Sequence, residues 1–221
     1  MFGAVLGAVL GLLAGALLRP VAVRYAVPAG EPWRTCAPAP LGRCVRCGER
    51  VGPPPLTVEA AAAAVGAALA ADVPARWLPL LVWVALFGVA LAFVDAAVKR
   101  LPDALTLPLL AGTALLIPLA DHRPAVWLRC ALAAGALGGL FLLLALFAPM
   151  GLGDVKLAPS LGAVLGLVGW RTFYAGLLYM WLIAAVWAVA LLVLRRAGRR
   201  TELAFGPAML LGTLAAVLAT A

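Results

Sequence analysis

The stretch WLPLLVWVALFGVALAFV, at residues 77–94, decides the fold class of this chain. Its 18 consecutive residues carry no charged side chain. A helix needs about 20 predominantly apolar residues to cross the hydrocarbon core of a bilayer. The stretch therefore predicts a helix that spans a membrane.

Seven further apolar segments surround this one, at residues 2–18, 56–71, 104–120, 127–147, 155–168, 173–194 and 203–219. Of the 221 residues, 66% are hydrophobic and only 12% are charged. Soluble domains are about half apolar and about a quarter charged, so much of this surface is expected to face lipid. The sequence predicts an all-α bundle of about eight transmembrane helices, forming a single membrane domain over residues 1–221.

The basic residues predict the orientation of the helices, because cytoplasmic loops carry an excess of Lys and Arg. With the amino terminus outside, 13 basic residues fall on the inner side and four on the outer side, namely Arg76, Arg123, Arg129 and Arg171. We therefore expect both the amino and the carboxyl terminus outside, with residues 19–55 as a cytoplasmic loop. The net charge of +8 then reflects membrane topology, and no nucleic-acid partner is expected.

Few side chains of this sequence can perform chemistry, since it has no Asn, no Gln, one Ser and one His. Ser160 is predicted near the inner face and His122 outside, so they cannot form the nucleophile and base of a serine hydrolase. Asp95 and Asp154 are predicted at the inner ends of two helices. Ionisable residues at such positions are candidates for function.

Two carboxylates at one depth can share a proton, so Asp95 and Asp154 together predict aspartic-protease chemistry. The ionised group would activate a water and the protonated group would polarise a peptide carbonyl. Two structural alternatives stay open: Asp154 as a helix cap and Asp95 as the partner of Lys99. A non-enzymatic transporter or pilus or secretion assembly component, with both acids as an ion or proton relay, is the functional alternative.

The segments VDAAVKRLPDALTLPL (94–109) and GLGDVKLAPSLGAVLG (151–166) resemble the type IV prepilin peptidases, membrane aspartic proteases of the GxGD class. AFGPAMLLGTLAA (204–216) and GLLAGALLRPVAVR (11–24) resemble other parts of that family. The resemblance implies a catalytic pair, a non-catalytic acid, two motif glycines and a motif lysine, which are Asp95 with Asp154, Asp103, Gly151 with Gly153, and Lys156. Independently, the two glycines predict a tight or extended backbone before Asp154 that a Cβ would block.

What the resemblance implies for function is removal of a basic leader from a prepilin or pseudopilin helix, after a Gly at the cytoplasmic face of the bacterial inner membrane. Proteolysis in this family needs no cofactor. Many members then methylate the new amino terminus with S-adenosylmethionine. Neither the oligomeric state nor the identity of the pilin follows from the sequence.

The cysteines of the predicted loop form a candidate zinc site. GRCVRCGERVGPPPLTVEAA (42–61) resembles the family's second Cys-x-x-Cys, and of the first only Cys36 remains. Cys36, Cys44 and Cys47 could bind zinc with a water or carboxylate as fourth ligand, although structural sites are normally closed by four protein ligands. Loop 19–55 is therefore interpreted as a reduced zinc-knuckle or methyltransferase remnant, with both activities open. Cys130 is expected to be a small buried apolar residue.

Overall fold

A computed structural model of the chain describes residues 2–27, 52–147, 151–194 and 204–220. Within these ranges the regular structure is entirely helical, and no strand is present. The α-helices are α1 (Phe2–Tyr25), α2 (Thr57–Asp72), α3 (Leu78–Val98), α4 (Asp103–Ala120), α5 (Pro124–Phe147), α6 (Leu152–Val168), α7 (Trp170–Val193) and α8 (Gly206–Thr220). The predicted all-α fold with about eight helices is confirmed.

Five helices are long and apolar enough to cross a membrane: α1, α4, α5, α7, and α3 together with the 3₁₀ turn Ala75–Trp77 that precedes it. The other three have 16, 17 and 15 residues, in the order α2, α6 and α8. At 1.5 Å per residue they reach about 22 to 26 Å, less than the roughly 30 Å of a hydrocarbon core. A short helix is accommodated by local thinning of the bilayer or by flanking residues.

The chain divides into two compact units, Met1–His122 and Arg123–Ala221. In the first unit, α1 packs on α2 and α3, and α3 also packs on α4. In the second unit, α6 contacts α5, α7 and α8, so it is the central helix. The single membrane domain and the outward termini stay predictions.

The closest helix packing of the first unit joins α1 to α2 through four glycines at four-residue intervals, Gly3, Gly7, Gly11 and Gly15. A Cβ added at Gly15 would lie 2.5 Å from the Cα of Glu59, and one at Gly7 or Gly11 would overlap a backbone carbonyl of α2. Small residues at this spacing allow the backbones of membrane helices to approach closely. The two helices are therefore antiparallel and in backbone contact.

Helix α1 continues through Arg19 and Pro20 to Tyr25, so residues 19–25 are helical and do not belong to the predicted loop 19–55. Arg-Pro is typical of a helix end, because Pro lacks the N–H that the helix would use. The helix continues here because its next turns are packed: Ala22 and Val23 are buried, and Arg19 is bonded to Glu59.

Candidate active site

Asp95 lies in the last turn of α3 and is buried, with 4% of its surface exposed. The helix ends at Val98, and the exposed Lys99 follows in the left-handed region with φ 51° and ψ 43°. Its backbone N–H donates to the Asp95 carbonyl at 2.7 Å. Lys99 thus keeps the last backbone bond of the helix, but its φ has the opposite sign, so its side chain does not project as that of a helical residue would. The pairing of Asp95 with Lys99 stays a prediction.

Asp103 follows Asp95 within the same unit, at the start of α4. It is exposed, and Pro102 precedes it in an extended conformation. A negative charge in the first turn of a helix is favourable because it faces the positive end of the helix dipole. The position of Asp103 therefore suits a helix-start acid, and its non-catalytic assignment stays a prediction.

Asp154 lies in the first turn of α6 and is 7% exposed. Its N–H donates to the Gly151 carbonyl at 3.1 Å, so the helix begins directly after this glycine. The helix dipole favours a carboxylate at this position, and the structural alternative of a helix-start acid applies here as well. Lys156 is exposed on the same turn of α6.

The backbone reason expected for Gly151 is wrong. Its φ of −67° and ψ of 133° are open to any L-residue. A Cβ at this position would lie 3.9 Å from Oδ2 of Asp154, an ordinary contact. The glycine therefore leaves space beside the carboxylate and does not relieve backbone strain. Gly153 is half-buried inside the first turn of the helix.

Asp95 belongs to the first compact unit and Asp154 to the second. Each of the two carboxylates is buried at the end of a helix whose other residues are mostly apolar. Burial of a carboxylate outside water is costly unless it is paired, hydrogen-bonded or protonated. Their union in one catalytic site stays a prediction.

Ser160 lies in the buried part of α6 and offers no alternative nucleophile. Its Oγ has no hydrogen-bond partner among the residues that the structure describes. A serine nucleophile needs a neighbouring base, so this geometry supports the rejection of a serine hydrolase. His122 is exposed after the end of α4.

A buried ion pair that was not predicted from the sequence joins Arg19 of α1 to Glu59 of α2, which are 1% and 3% exposed. Arg19 donates from Nε to Oε1 and from Nη2 to Oε2 of Glu59, both at 2.6 Å. It also donates to the carbonyls of Pro53 and Pro54, each at 3.1 Å. The signal was present in the sequence: Arg19 continues the four-residue interval of the α1 glycines, and an acid inside an apolar helix needs a partner.

Cys36, Cys44 and Cys47 lie outside the described residues. Within the described ranges, no group of three or more His, Cys, Asp and Glu side chains could hold a metal ion. Cys130 is buried in α5, as predicted.

The model of the type IV leader peptidase family matches residues 80–219. Proteins named prepilin leader peptidase/N-methyltransferase from Aeromonas salmonicida (strain A449) and Aeromonas hydrophila are each 34% identical over 179 residues, covering 75% of this chain and 58% of the relative. The chain thus spans a little over half the length of these curated relatives, and no solved structure shows a significant match. Because the family model covers most of the chain, including Asp95 and Asp154, the chain belongs to the type IV leader peptidase family.

Proposed function

We propose that this protein is a membrane aspartic endopeptidase that removes the basic leader of type IV prepilins or pseudopilins after a Gly. The observation that carries the proposal is the state of the two acids inside the family match. Asp95 and Asp154 are both more than nine-tenths buried, and each lies at a helix end. A buried acid at such a position in a membrane protein is a functional candidate by default.

The proposed chemistry uses one ionised and one protonated carboxyl group. The ionised group takes a proton from water as the water oxygen attacks the scissile carbonyl, and the protonated group donates its proton to the carbonyl oxygen. Collapse of the tetrahedral intermediate breaks the C–N bond, and a carboxyl proton passes to the leaving amine. Two neighbouring carboxylates share a proton because ionising both is unfavourable. No metal or organic cofactor enters these steps.

The proposed location is the bacterial inner membrane, with the catalytic pair at the cytoplasmic side. The five long apolar helices support a multi-pass protein in a lipid bilayer. The excess of basic residues in the predicted inner loops supports the orientation. The substrate partner would be the apolar helix of a prepilin, presented with its leader at the cytoplasmic face.

The decisive experiment incubates the purified full chain with a prepilin whose leader ends in Gly, and reads the product amino terminus by mass spectrometry. We expect cleavage after that Gly, abolished by Asp95→Asn and by Asp154→Asn separately. Asp103→Asn is the matched control, because Asp103 is exposed and the variant is expected to cleave the prepilin as the wild type does. Cleavage by either of the first two variants at the wild-type rate would exclude the catalytic pair.

The names of the relatives pair the peptidase with an N-methyltransferase, so methyl transfer is the second activity to assay. We assign no residue of this chain to S-adenosylmethionine. The same assay with this compound present shows methylation as the added mass of one methyl group on the product. Zinc is tested separately, by metal analysis of the wild type against a Cys44→Ser/Cys47→Ser variant, which should contain less zinc if these thiolates bind it.

A transporter or assembly component with Asp95 and Asp154 as a relay is the alternative function. Membership of a peptidase family favours the peptidase over the relay. In the cleavage assay, a relay protein that is folded and stable would leave every prepilin intact.

A further inference from the structure

We propose that Arg129 is a positioning residue for Asp154, which it controls from the opposite end of α6. This inference rests on the proposed peptidase function. From the sequence, Arg129 is only one of four basic residues predicted on the outer side. In the structure its side chain contacts the carboxyl end of α6, the helix that carries Asp154 in its first turn.

Arg129 lies on α5 and binds the carboxyl end of α6. Its Nε donates to the carbonyl of Gly166 at 2.6 Å, and its Nη2 donates to the carbonyl of Leu167 at 2.9 Å. The last four carbonyls of a helix have no partner within the helix, and a cation at this end is stabilised by the helix dipole. A planar guanidinium that binds two successive carbonyls fixes both the height and the rotation of α6, which a point charge such as Lys does less well.

The glycines of α6 bring this helix into backbone contact with α5. A Cβ at Gly162 would lie 2.5 Å from the carbonyl oxygen of Ala133. A Cβ at Gly166 would lie 2.8 Å from Cβ of Ala133 and 3.0 Å from Cα of Cys130. Because this packing brings the two backbones together, the side chain of Arg129 is held within reach of the last carbonyls of α6.

The rest of α6 transmits this position to Asp154. Eleven of its residues are buried, and the helix contacts α5, α7 and α8. From Asp154 to Gly166 the helix rises about 18 Å at 1.5 Å per residue. Pro159 lacks one backbone hydrogen bond between these points, so the position of one end is transmitted to the other by the packing of α6 on its three neighbouring helices and not by its hydrogen-bond ladder alone. We therefore expect the position of Asp154 along the axis of α6 to depend on the hydrogen bonds from Arg129 at the carboxyl end of this helix.

The test replaces Arg129 by Gln and measures kcat and KM for prepilin cleavage at a temperature where circular dichroism shows a fully folded protein. We expect kcat to fall by about 10- to 100-fold with KM nearly unchanged, since a displacement of 1 Å at the reacting groups can cost about 100-fold. Arg129→Lys should recover part of the loss, because it restores one cationic donor. Arg171→Gln is the matched control: this exposed arginine lies at the start of α7, and its removal should leave kcat unchanged.

A second variant keeps the proposal testable if Arg129→Gln does not fold. Gly166→Ala should push α6 from α5 and lower kcat, and adding Ala133→Gly should recover part of it by removing the 2.8 Å contact. A folded Arg129→Gln enzyme with kcat within about twofold of wild type would overturn the positioning role, as would a lowered melting temperature with normal kcat. Failure of the proposed function looks different, because the wild type itself would then leave the prepilin uncut.

Discussion

Replacing Glu59 by Gln should lower the free energy of unfolding by about 3 kcal/mol, and replacing it by Ala by up to about 5 kcal/mol. Glu59 accepts two hydrogen bonds of 2.6 Å from the buried Arg19 guanidinium. A hydrogen bond to a charged group contributes about 1.5 to 3 kcal/mol, so the two together give about 3 to 6 kcal/mol. The Gln amide keeps one oxygen that can accept a hydrogen bond from Arg19, so the loss for Glu59→Gln is expected at the lower end of this range.

The loss is large because water cannot replace the missing carboxylate. Arg19 is only 1% exposed, and after Glu59→Ala it keeps, of the bonds described above, only those to the carbonyls of Pro53 and Pro54. After Glu59→Gln it can also bond to the amide oxygen, which carries no charge. Its positive charge would then be buried without a counter-charge, which costs more than the loss of an exposed pair. We expect Arg19→Met to lower the free energy of unfolding by a similar amount, because it leaves the negative charge of Glu59 buried without a counter-charge. The double variant Arg19→Met/Glu59→Gln should cost at least about 2 kcal/mol less than the two single variants added together.

The assay is reversible unfolding of the detergent-solubilised protein by titration with SDS, followed by tryptophan fluorescence. Asp72→Asn is the matched control, since this acid is exposed at the other end of α2 and should cost less than about 0.5 kcal/mol. A coupling energy below about 0.5 kcal/mol between Arg19 and Glu59 would show that the buried pair does not stabilise the fold as expected. A loss for Glu59→Gln that equals the loss for Asp72→Asn would have the same meaning.

Four further substitutions test the backbone geometry by the same unfolding titration. Gly11→Ala should lower the free energy of unfolding by about 1 to 3 kcal/mol, because its Cβ would overlap the Ala62 carbonyl. Gly139→Ala on α5 should raise it by about 0.5 to 1 kcal/mol, because nothing lies within 4 Å of the new Cβ. Equal effects at both glycines would contradict the close packing of α1 on α2. Lys99→Gly should stabilise by about 1 kcal/mol, since a residue with a side chain is unfavourable at φ 51°, and a destabilised variant would contradict this turn. Gly151→Ala should change the free energy of unfolding by less than about 0.5 kcal/mol, and a larger loss would restore the backbone role that its φ of −67° argues against.

The helices were predictable because apolar runs of this length have few other folds. All eight predicted segments appear, and most boundaries lie within a few residues of their predicted positions. The main error was the end of α1, predicted at Leu18 and found at Tyr25. Local sequence favours a stop at Arg19-Pro20, whereas the contact with Glu59 and the burial of Val23 favour continuation. The helix continues because the contact with Glu59 outweighs the local preference. This was not predictable from a local pattern, since Glu59 lies 40 residues further along the chain.

For the candidate site, the sequence pattern names residues but does not describe their surroundings. The sequence pattern singles out Asp95 and Asp154, and the structure shows both buried at helix ends. The reason assigned to Gly151 was wrong, because a Gly-x-Gly pattern does not state the backbone angles that the chain adopts. Lys99 seemed to be a helical partner of Asp95, yet the helix ends one residue before it.

Composition and local spacing alone predict the apolar helices and their number, and they single out Asp95 and Asp154 as the candidate acids. Only the tertiary structure decided which charged side chains are internal. Arg19 and Arg129 both counted only as basic residues that indicate topology, but one binds a buried carboxylate and the other binds the end of α6. The physical reason is that an arginine near a membrane boundary can face water or protein acceptors equally well. The choice depends on a neighbouring helix that glycines bring into backbone contact, across 40 residues in one case and 37 in the other.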